Sequence, residues 1–430
     1  MVEGVRGYED TVLPQLENAL LAGHDIIFLG ERGQAKTRMI RSLTGLLDEW
    51  LPVVAGSEIQ DDPYAPVSRH ARDLVAAQGE ATPIEWVHRD TRFGEKLATP
   101  DTAIADLIGE VDPIKVAEGR YLSDELTIHY GLVPRTNRGI FAINELPDLA
   151  ERIQVGLLNV LEERDVQIRG YKVRLPLDLL LVASANPEDY TNRGRIITPL
   201  KDRFGSQIRT HYPRDLPTEV EVIRQEAVPF AAAGLHVAVP DFMVDVVATV
   251  SQLARLSPHV NQRSGVSVRL SVANYEVLAA AAARRALRAG EKDAVPRVSD
   301  LGALVASTAG KIEVEALEDR ADAEVVDRLL KAAVLTVFKE RVPGPTVAEI
   351  VLSFDEGTVL HAGDDVPSVD YVAAIDGLPA LAKVVAGLTG GAESPALVAS
   401  AVELVLEGLH LSRRLNKDAA GSRATYRGRG

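Results

Sequence analysis

One glycine-rich stretch has residue types that suit phosphate binding: Gly30-Glu-Arg-Gly-Gln-Ala-Lys-Thr37. It directly follows an apolar run ending at Leu29, and an amphipathic segment follows it. This layout is typical of a phosphate-binding loop, in which backbone N–H groups surround a phosphate. Lys36 would reach the outer phosphates and the Thr37 hydroxyl would contact Mg²⁺. We therefore predict an ATP and Mg²⁺ site whose nucleotide contacts are Gly30, Gly33, Gln34, Ala35, Lys36, Thr37 and Arg38.

The loop departs from the usual pattern G-x-x-x-x-G-K-[ST] at one position, where Ala35 replaces glycine. A methyl group there crowds the phosphate or disfavours a positive φ angle, although it is the smallest possible intrusion. The loop alone therefore leaves open a chance strand, turn and helix, and residues further along the chain must support it.

A second set of chemical groups follows the apolar run at residues 140–143, which predicts a buried parallel strand. Open α/β sheets bind ligands at the carboxyl ends of their strands, where Asn144 and Glu145 would lie. Glu145 suits the carboxylate that polarises an attacking water in phosphate-loop ATPases. Asn144 stands where an acidic residue usually orients Mg²⁺, so it keeps a hydrogen-bonding oxygen but loses the charge.

Two further polar residues follow predicted elements of the same sheet. The apolar run at residues 179–185 predicts a buried strand, and Asn186 at its end would hold the attacking water or sense the γ-phosphate. An Asn-Pro turn is the alternative interpretation of Asn186. Arg203 precedes another predicted strand at residues 207–213 and would otherwise be a surface arginine in an ion pair.

The composition is that of an ordinary globular protein of 430 residues, long enough for two or three domains. The net charge of -15 argues against general nucleic-acid binding. The absence of cysteine excludes disulfides and thiolate zinc sites. Neither a signal peptide nor a run of about 18 apolar residues is present. We therefore expect a cytoplasmic protein without a membrane span.

The order of these motifs resembles the AAA+ ATPases of the magnesium-chelatase ATPase subunit and MoxR group, over residues 8–287. The resemblance makes residues 30–37 Walker A, residues 140–145 Walker B and Asn186 sensor 1. It makes Arg203 the arginine finger, which acts on the γ-phosphate of the neighbouring subunit. MoxR-like members often carry alanine at the position of Ala35.

The same resemblance predicts the fold class. It implies an α/β AAA+ P-loop core, with a parallel sheet and helices on both faces, then an all-α lid and a helical C-terminal region. We place the core at residues 1–213, the lid at 214–310 and the C-terminal region at 311–415. The small, polar residues 416–430 suggest a disordered tail.

Three smaller features also follow from the resemblance. Residues 101–138 would match the insertion in the second helix, and residues 166–174 the hairpin before sensor 1. Both line the ring pore in related assemblies. Arg269 would be sensor 2, contacting the nucleotide of its own subunit, with Arg263 as its competitor and a surface ion pair as the alternative role.

These assignments predict an ATPase that forms a ring, expected to be a hexamer, and remodels a protein partner. Relatives usually work with a partner that carries a von Willebrand A domain, and here it would be a separate protein because no Asp-x-Ser-x-Ser occurs in this chain. Alternatives are the magnesium-chelatase subunit itself and, given Ala35 and Asn144, a nucleotide-gated scaffold with negligible turnover. A DNA motor is disfavoured by the acidic charge, and a sigma-54-type activator by the missing Gly-Ala-Phe-Thr-Gly-Ala loop.

Overall fold

The computed structural model describes residues 2, 4–112, 114, 117, 125–162, 175–186, 194–228, 230–262, 264–313, 320–392 and 394–429. The chain forms two compact units, Met1–His211 and Tyr212–Gly430. The predicted hairpin at residues 166–174 and the alternative sensor residue Arg263 lie outside the described residues.

The first unit combines strands and helices in alternation. Its described strands are β1 (Ile26–Leu29), β2 (Trp50–Val54), β3 (Ile84–His88), β4 (Phe93–Leu97), β5 (Gly109–Val111), β6 (Ile128–Tyr130), β7 (Gly139–Asn144), β8 (Leu179–Ala185) and β9 (Ser206–Arg209). Its described helices are α1 (Val12–Leu21), α2 (Lys36–Ser42), α3 (Arg69–Gln78), α4 (Ile104–Leu107), α5 (Leu132–Arg135), α6 (Glu151–Glu162) and α7 (Thr198–Arg203).

The main sheet has five parallel strands in the order β4-β7-β8-β1-β9. Strands β1 and β7 are buried at every residue, which explains the apolar runs at residues 26–29 and 140–143. Side chains alternate between the two faces of a strand. Accordingly, Ile27 and Phe141 belong to one apolar cluster, whereas Phe28 and Ile140 belong to another. The structure confirms the predicted α/β core with a parallel sheet covered on both faces.

Two small antiparallel pairs lie outside this sheet. Strand β2 pairs with β3, so the strands near residues 51 and 84 do not extend the main sheet. Strand β5 pairs with β6 inside the predicted insertion at residues 101–138. The short helices α4 and α5 flank that pair.

The second unit is mainly helical. Its described helices are α8 (Leu216–Glu226), α9 (Asp241–Leu256), α10 (Arg269–Ala289), α11 (Leu304–Ala309), α12 (Arg320–Arg341), α13 (Gly344–Asp355), α14 (Ser368–Ile375), α15 (Pro379–Thr389) and α16 (Pro395–Leu411). Its described strands are β10 (His236–Val237), β11 (Asp293–Ala294), β12 (Val359–Gly363), β13 (Asn416–Ala420) and β14 (Arg423–Arg427). Within the described chain, no helix is long and apolar enough to cross a membrane.

A single large apolar cluster runs through the second unit, from Ile223 to Tyr426. Helices α9 and α12 pack against each other, and α16 packs on α12 and α14. The proposed division at residue 310 therefore does not coincide with two separate cores, and the lid and C-terminal region share one core.

The C-terminal residues differ from the predicted disordered tail. Strands β13 and β14 form a hairpin, and β14 also pairs with β12. Tyr426 is buried, and its hydroxyl donates a hydrogen bond to Glu407 Oε2 over 2.5 Å. The Lys417 ammonium lies 2.7 Å from the same oxygen. The prediction of a disordered tail was wrong because it rested on the polar composition. Strand β14 pairs with β12, which lies far away in the sequence.

Candidate active site

The loop between β1 and α2 has a backbone that requires small residues. Gly33 has φ 75°, and Ala35 has φ 55° and ψ 15°, in the left-handed region. Gly30 is required by close packing, since a Cβ atom there would lie 1.9 Å from Thr210 Oγ1. The positive φ at Ala35 is the strain that the sequence suggested, because L-residues with a Cβ atom disfavour this region.

We expect Ala35→Gly to stabilise the first unit by about 1 kcal/mol, because glycine adopts positive φ without a steric penalty. Both tryptophans of the chain, Trp50 and Trp86, lie in the first unit. Urea unfolding followed by tryptophan fluorescence therefore measures this unit. The matched control is Ala76→Gly on the exposed side of α3, which should destabilise by about 1 kcal/mol. A loss of stability in the Ala35 variant would contradict the prediction.

Buried polar contacts hold the loop in this shape. Gln34 Oε1 accepts hydrogen bonds from the Glu31 amide over 3.1 Å and from Thr210 Oγ1 over 2.6 Å. The Tyr8 hydroxyl lies 2.9 Å from the Gln34 carbonyl oxygen and 2.8 Å from that of His211. Burial raises the pKa of Tyr8 to about 12, so the phenol stays protonated and can donate at neutral pH. The side chain of Gln34 therefore supports the loop from within.

Lys36, Asn186 and Glu145 come from three separate segments and meet at the carboxyl ends of β1, β7 and β8. Lys36 is 7% exposed and donates to Asn186 Oδ1 over 2.7 Å and to the Glu31 carbonyl over 2.8 Å. It also donates to the carbonyl of Gly30. The other end of the Asn186 amide donates to Glu145 Oε2 over 2.9 Å. Asn186 thus connects the lysine to the carboxylate.

Asn144 and Thr37 form a second set of oxygens beside the first. Thr37 Oγ1 lies 3.5 Å from Asn144 Oδ1, and Ser184 Oγ donates to the same oxygen over 3.1 Å. Glu145 follows in a left-handed conformation, with φ 55° and ψ 48°. Its amide donates to Ser184 Oγ over 3.3 Å. This geometry turns the chain sharply at the end of β7.

The residues present fit a magnesium nucleotide. Mg²⁺ prefers oxygen ligands and usually keeps several waters. The Thr37 hydroxyl and the Asn144 amide oxygen are oxygen ligands of this kind. Lys36 contacts the carbonyl oxygens of Gly30 and Glu31 and the amide oxygen of Asn186, and a lysine ammonium at such a loop is a common phosphate-binding group. Thr37 and Asn144 would hold the metal, and Lys36 the phosphates.

The three arginines predicted to act at the site lie in three different helices. Arg38 lies in α2, and its Nη1 donates to the Gly4 carbonyl over 2.9 Å. Arg203 is the last residue of α7, half-buried, with Nη1 3.2 Å from the Pro199 carbonyl oxygen. Arg269 begins α10 in the second unit and is exposed. The roles of Arg203 across a subunit interface and of Arg269 in its own subunit stay predictions.

The structure adds one residue that the sequence analysis did not single out. Glu95 lies in β4, and its Oε1 accepts a hydrogen bond from Asn144 Nδ2 over 2.5 Å. Its carboxylate also pairs with Arg41, with Nε to Oε2 at 2.8 Å. The segment Phe-Gly-Glu-Lys-Leu has glycine and two adjacent charges, so it gave no strand pattern.

The chain combines a parallel α/β sheet with a phosphate-loop-like turn at the carboxyl ends of its strands, and comparisons with known proteins show what it resembles. A family model described as the sigma-54 interaction domain matches residues 117–203. This range includes Asn144, Glu145, Asn186 and Arg203. It ends before the second unit begins.

Relatives with curated descriptions include subunits of magnesium chelatase. The magnesium-chelatase 38 kDa subunit of Rhodobacter capsulatus is 30% identical over 232 residues, which cover 51% of this chain and 58% of that protein. The magnesium-chelatase subunit ChlI of Anabaena variabilis is 29% identical over 208 residues, covering 47% and 57%. The chain thus spans less than two thirds of these relatives' length. The comparisons confirm the predicted resemblance to AAA+ proteins of the magnesium-chelatase group.

The solved structures that match this chain have low sequence identity to it. A complex of the magnesium-chelatase subunits BchI and BchD matches with 22% identity and a TM-score of 0.38, covering 75% of this chain and 98% of that chain. NtrX from Brucella abortus in complex with ATP matches with 16% identity and a TM-score of 0.41, covering 78% and 63%.

Proposed function

We propose that this chain binds ATP with Mg²⁺, hydrolyses it, assembles into a ring and remodels a protein partner. The observation that carries the proposal is the contact of Lys36 and Glu145 with the two ends of the Asn186 amide. A phosphate-binding cation, a carboxylate base and an amide between them are the groups that phosphoryl transfer to water requires.

Each group has a role in this proposal. Lys36 binds the outer phosphates, and Glu145 accepts a proton from the attacking water. Asn186 holds the carboxylate in position and contacts the γ-phosphate. When bound, Mg²⁺ neutralises charge on the phosphate oxygens, and Thr37 and Asn144 would hold it. Arg269 contacts the nucleotide of its own subunit.

The ring follows from the proposed role of Arg203, because an arginine that acts in trans needs a neighbouring subunit. A head-to-tail interface repeated by rotation closes into a ring, and we propose a hexamer. The partner would be a separate protein with a von Willebrand A domain.

Two other functions have specific support. The identity to magnesium-chelatase subunits favours a role in that enzyme itself, with metal insertion as the coupled reaction. The amide at Asn144, where a carboxylate is usual, favours a nucleotide-gated scaffold that binds ATP with negligible turnover. Binding and phosphate release measured on one preparation separate the ATPase from the scaffold, because a scaffold binds ATP without releasing phosphate above the level of Glu145→Gln.

Lys36→Ala provides the binding control. Removing one partner of a buried charged contact costs about 2–5 kcal/mol, so we expect ATP affinity to fall by at least about 30-fold. Isothermal titration with ATP and Mg²⁺ measures this loss. The matched control is Lys311→Ala in the second unit, which should leave the affinity unchanged. Equal ATP affinity of Lys36→Ala and the unmodified chain would overturn the proposed nucleotide site.

A further inference from the structure

Glu95 places a carboxylate directly beside the residue where the site lacks one. In the parallel register of β4 and β7, Glu95 lies opposite Ala142 and Leu97 opposite Asn144. Because side chains two residues apart share a face, Glu95 and Asn144 are diagonal neighbours on one face of the sheet. Their side chains make the contact between Oε1 and Nδ2 described above.

This contact determines which way the Asn144 amide faces. A carboxylate only accepts hydrogen bonds, so the Asn144 amide nitrogen must point at Glu95. The amide oxygen then faces the hydroxyls of Thr37 and Ser184, both of which can donate to it. Without Glu95, the amide could turn its NH₂ group toward Thr37 and present a donor where Mg²⁺ needs an oxygen.

The contact also restores the charge that asparagine removes. An aspartate at residue 144 would place two carboxylates within hydrogen-bonding distance of each other, which is unfavourable. Asparagine beside Glu95 keeps one negative charge in the same space. Arg41 contacts both carboxylate oxygens of Glu95, with Nε 2.8 Å from Oε2 and Nη2 3.1 Å from Oε1. The Arg41 side chain is 63% exposed and that of Glu95 is 22% exposed. Solvent weakens this ion pair, so Arg41 cancels only part of the charge.

We propose that Glu95 is a positioning residue for the metal site: it orients the Asn144 oxygen toward Thr37 and supplies the negative charge from the neighbouring strand β4. This inference rests on the proposed function, since it concerns the same magnesium nucleotide site. It explains how a chain with asparagine at residue 144 retains a functional metal site.

The test measures metal affinity directly, without turnover. Free Mn²⁺ is quantified by electron paramagnetic resonance during titration of the full-length protein saturated with ADP. Binding of a fluorescent ADP analogue in EDTA measures the nucleotide affinity without metal. Removing a residue that holds a metal ligand in place typically changes metal affinity by about 10–100-fold. We therefore expect Glu95→Ala to weaken Mn²⁺ binding by at least about tenfold and to leave metal-free ADP affinity unchanged.

A double-mutant cycle distinguishes this role from a general effect on folding. With Glu95→Gln in place, the residue 95 amide can donate to a new carboxylate, so Asn144→Asp should strengthen Mn²⁺ binding. In the unmodified background the same Asn144→Asp change creates adjacent carboxylates. We expect the gain in Mn²⁺ affinity from Asn144→Asp to be at least about fivefold smaller in the unmodified background than with Glu95→Gln. A difference of this size is in the range of effects from residues that hold a metal ligand in place. Arg41→Ala is the control and should change Mn²⁺ affinity by less than about threefold, as for an exposed ion pair.

The outcomes distinguish failure of this inference from failure of the proposed function. Unchanged Mn²⁺ affinity in Glu95→Ala, equal effects of Asn144→Asp in both backgrounds, or an Arg41→Ala loss as large as that of Glu95→Ala would each overturn this inference alone. Failure of the unmodified protein to bind ADP would instead overturn the proposed function, and the inference with it.

Discussion

Arg203→Ala should lower steady-state phosphate release by about 1,000-fold while leaving ATP affinity nearly unchanged. An arginine supplied across an interface stabilises the charge that develops on the transferred phosphate, and its loss typically costs 10³ or more in rate. Arg203 ends the short helix α7, where the buried Leu200 and Phe204 fix the position of the segment. The substitution therefore removes the guanidinium without removing apolar packing.

Mixing experiments test the action in trans. Arg203→Ala subunits keep Lys36 and bind ATP, whereas Lys36→Ala subunits keep Arg203 and can serve a neighbour. Random mixing of equal amounts in a ring with head-to-tail contacts creates a functional site at about a quarter of the interfaces. We expect phosphate release to reappear in the mixture although each variant alone is inactive.

The control for Arg203 is Arg69→Ala, an exposed arginine in α3 of the same unit. It should change turnover by less than about twofold, as expected for a surface ion pair. Normal turnover in Arg203→Ala, or a mixture no more active than its components, would contradict the role in trans.

Glu145→Gln should lower phosphate release by at least about 100-fold, the usual contribution of a general base. The glutamine has the same shape and can still accept the hydrogen bond from Asn186, so the nucleotide site should keep its geometry. ATP affinity should stay within about threefold, because the carboxylate acts on water and not on binding. Steady-state phosphate release and isothermal titration measure the two quantities.

Glu151→Gln is the matched control, because Glu151 is an exposed carboxylate at the start of α6. Its turnover should equal that of the unmodified chain. If Glu145→Gln retains full turnover, another group acts as the base. If the unmodified chain releases phosphate no faster than Glu145→Gln, the scaffold alternative is favoured. A pull-down with Glu145→Gln in ATP should also retain the protein partner.

Much of the α/β core was predictable because β1, β7 and β8 are mainly apolar and have polar residues at or directly after their ends. Parallel strands bring those polar ends to one edge of the sheet, so the proximity of Lys36, Glu145 and Asn186 follows from the order of elements alone. The hydrogen bonds that Asn186 makes with both neighbours required the coordinates.

Other features depend on contacts that a local pattern does not contain. Strand β4 begins Phe-Gly-Glu-Lys, and its pairing with β7 explains why a strand with two adjacent charges is stable at the edge of the sheet. The polar residues of β13 and β14 gave no strand signal, since only Tyr426 in β14 is buried there. Both cases show tertiary pairing overriding weak local propensity.

The strand order of the small C-terminal sheet has a consequence for synthesis. The order is β12-β14-β13, so the central strand is the last one in the sequence. While the chain emerges from the ribosome, β12 and β13 lack the strand that lies between them. The first unit can fold early, whereas the second completes its sheet only after residue 427 has left the exit tunnel. A chain that stops before β14 would leave the facing edges of β12 and β13 unpaired, and exposed strand edges promote aggregation.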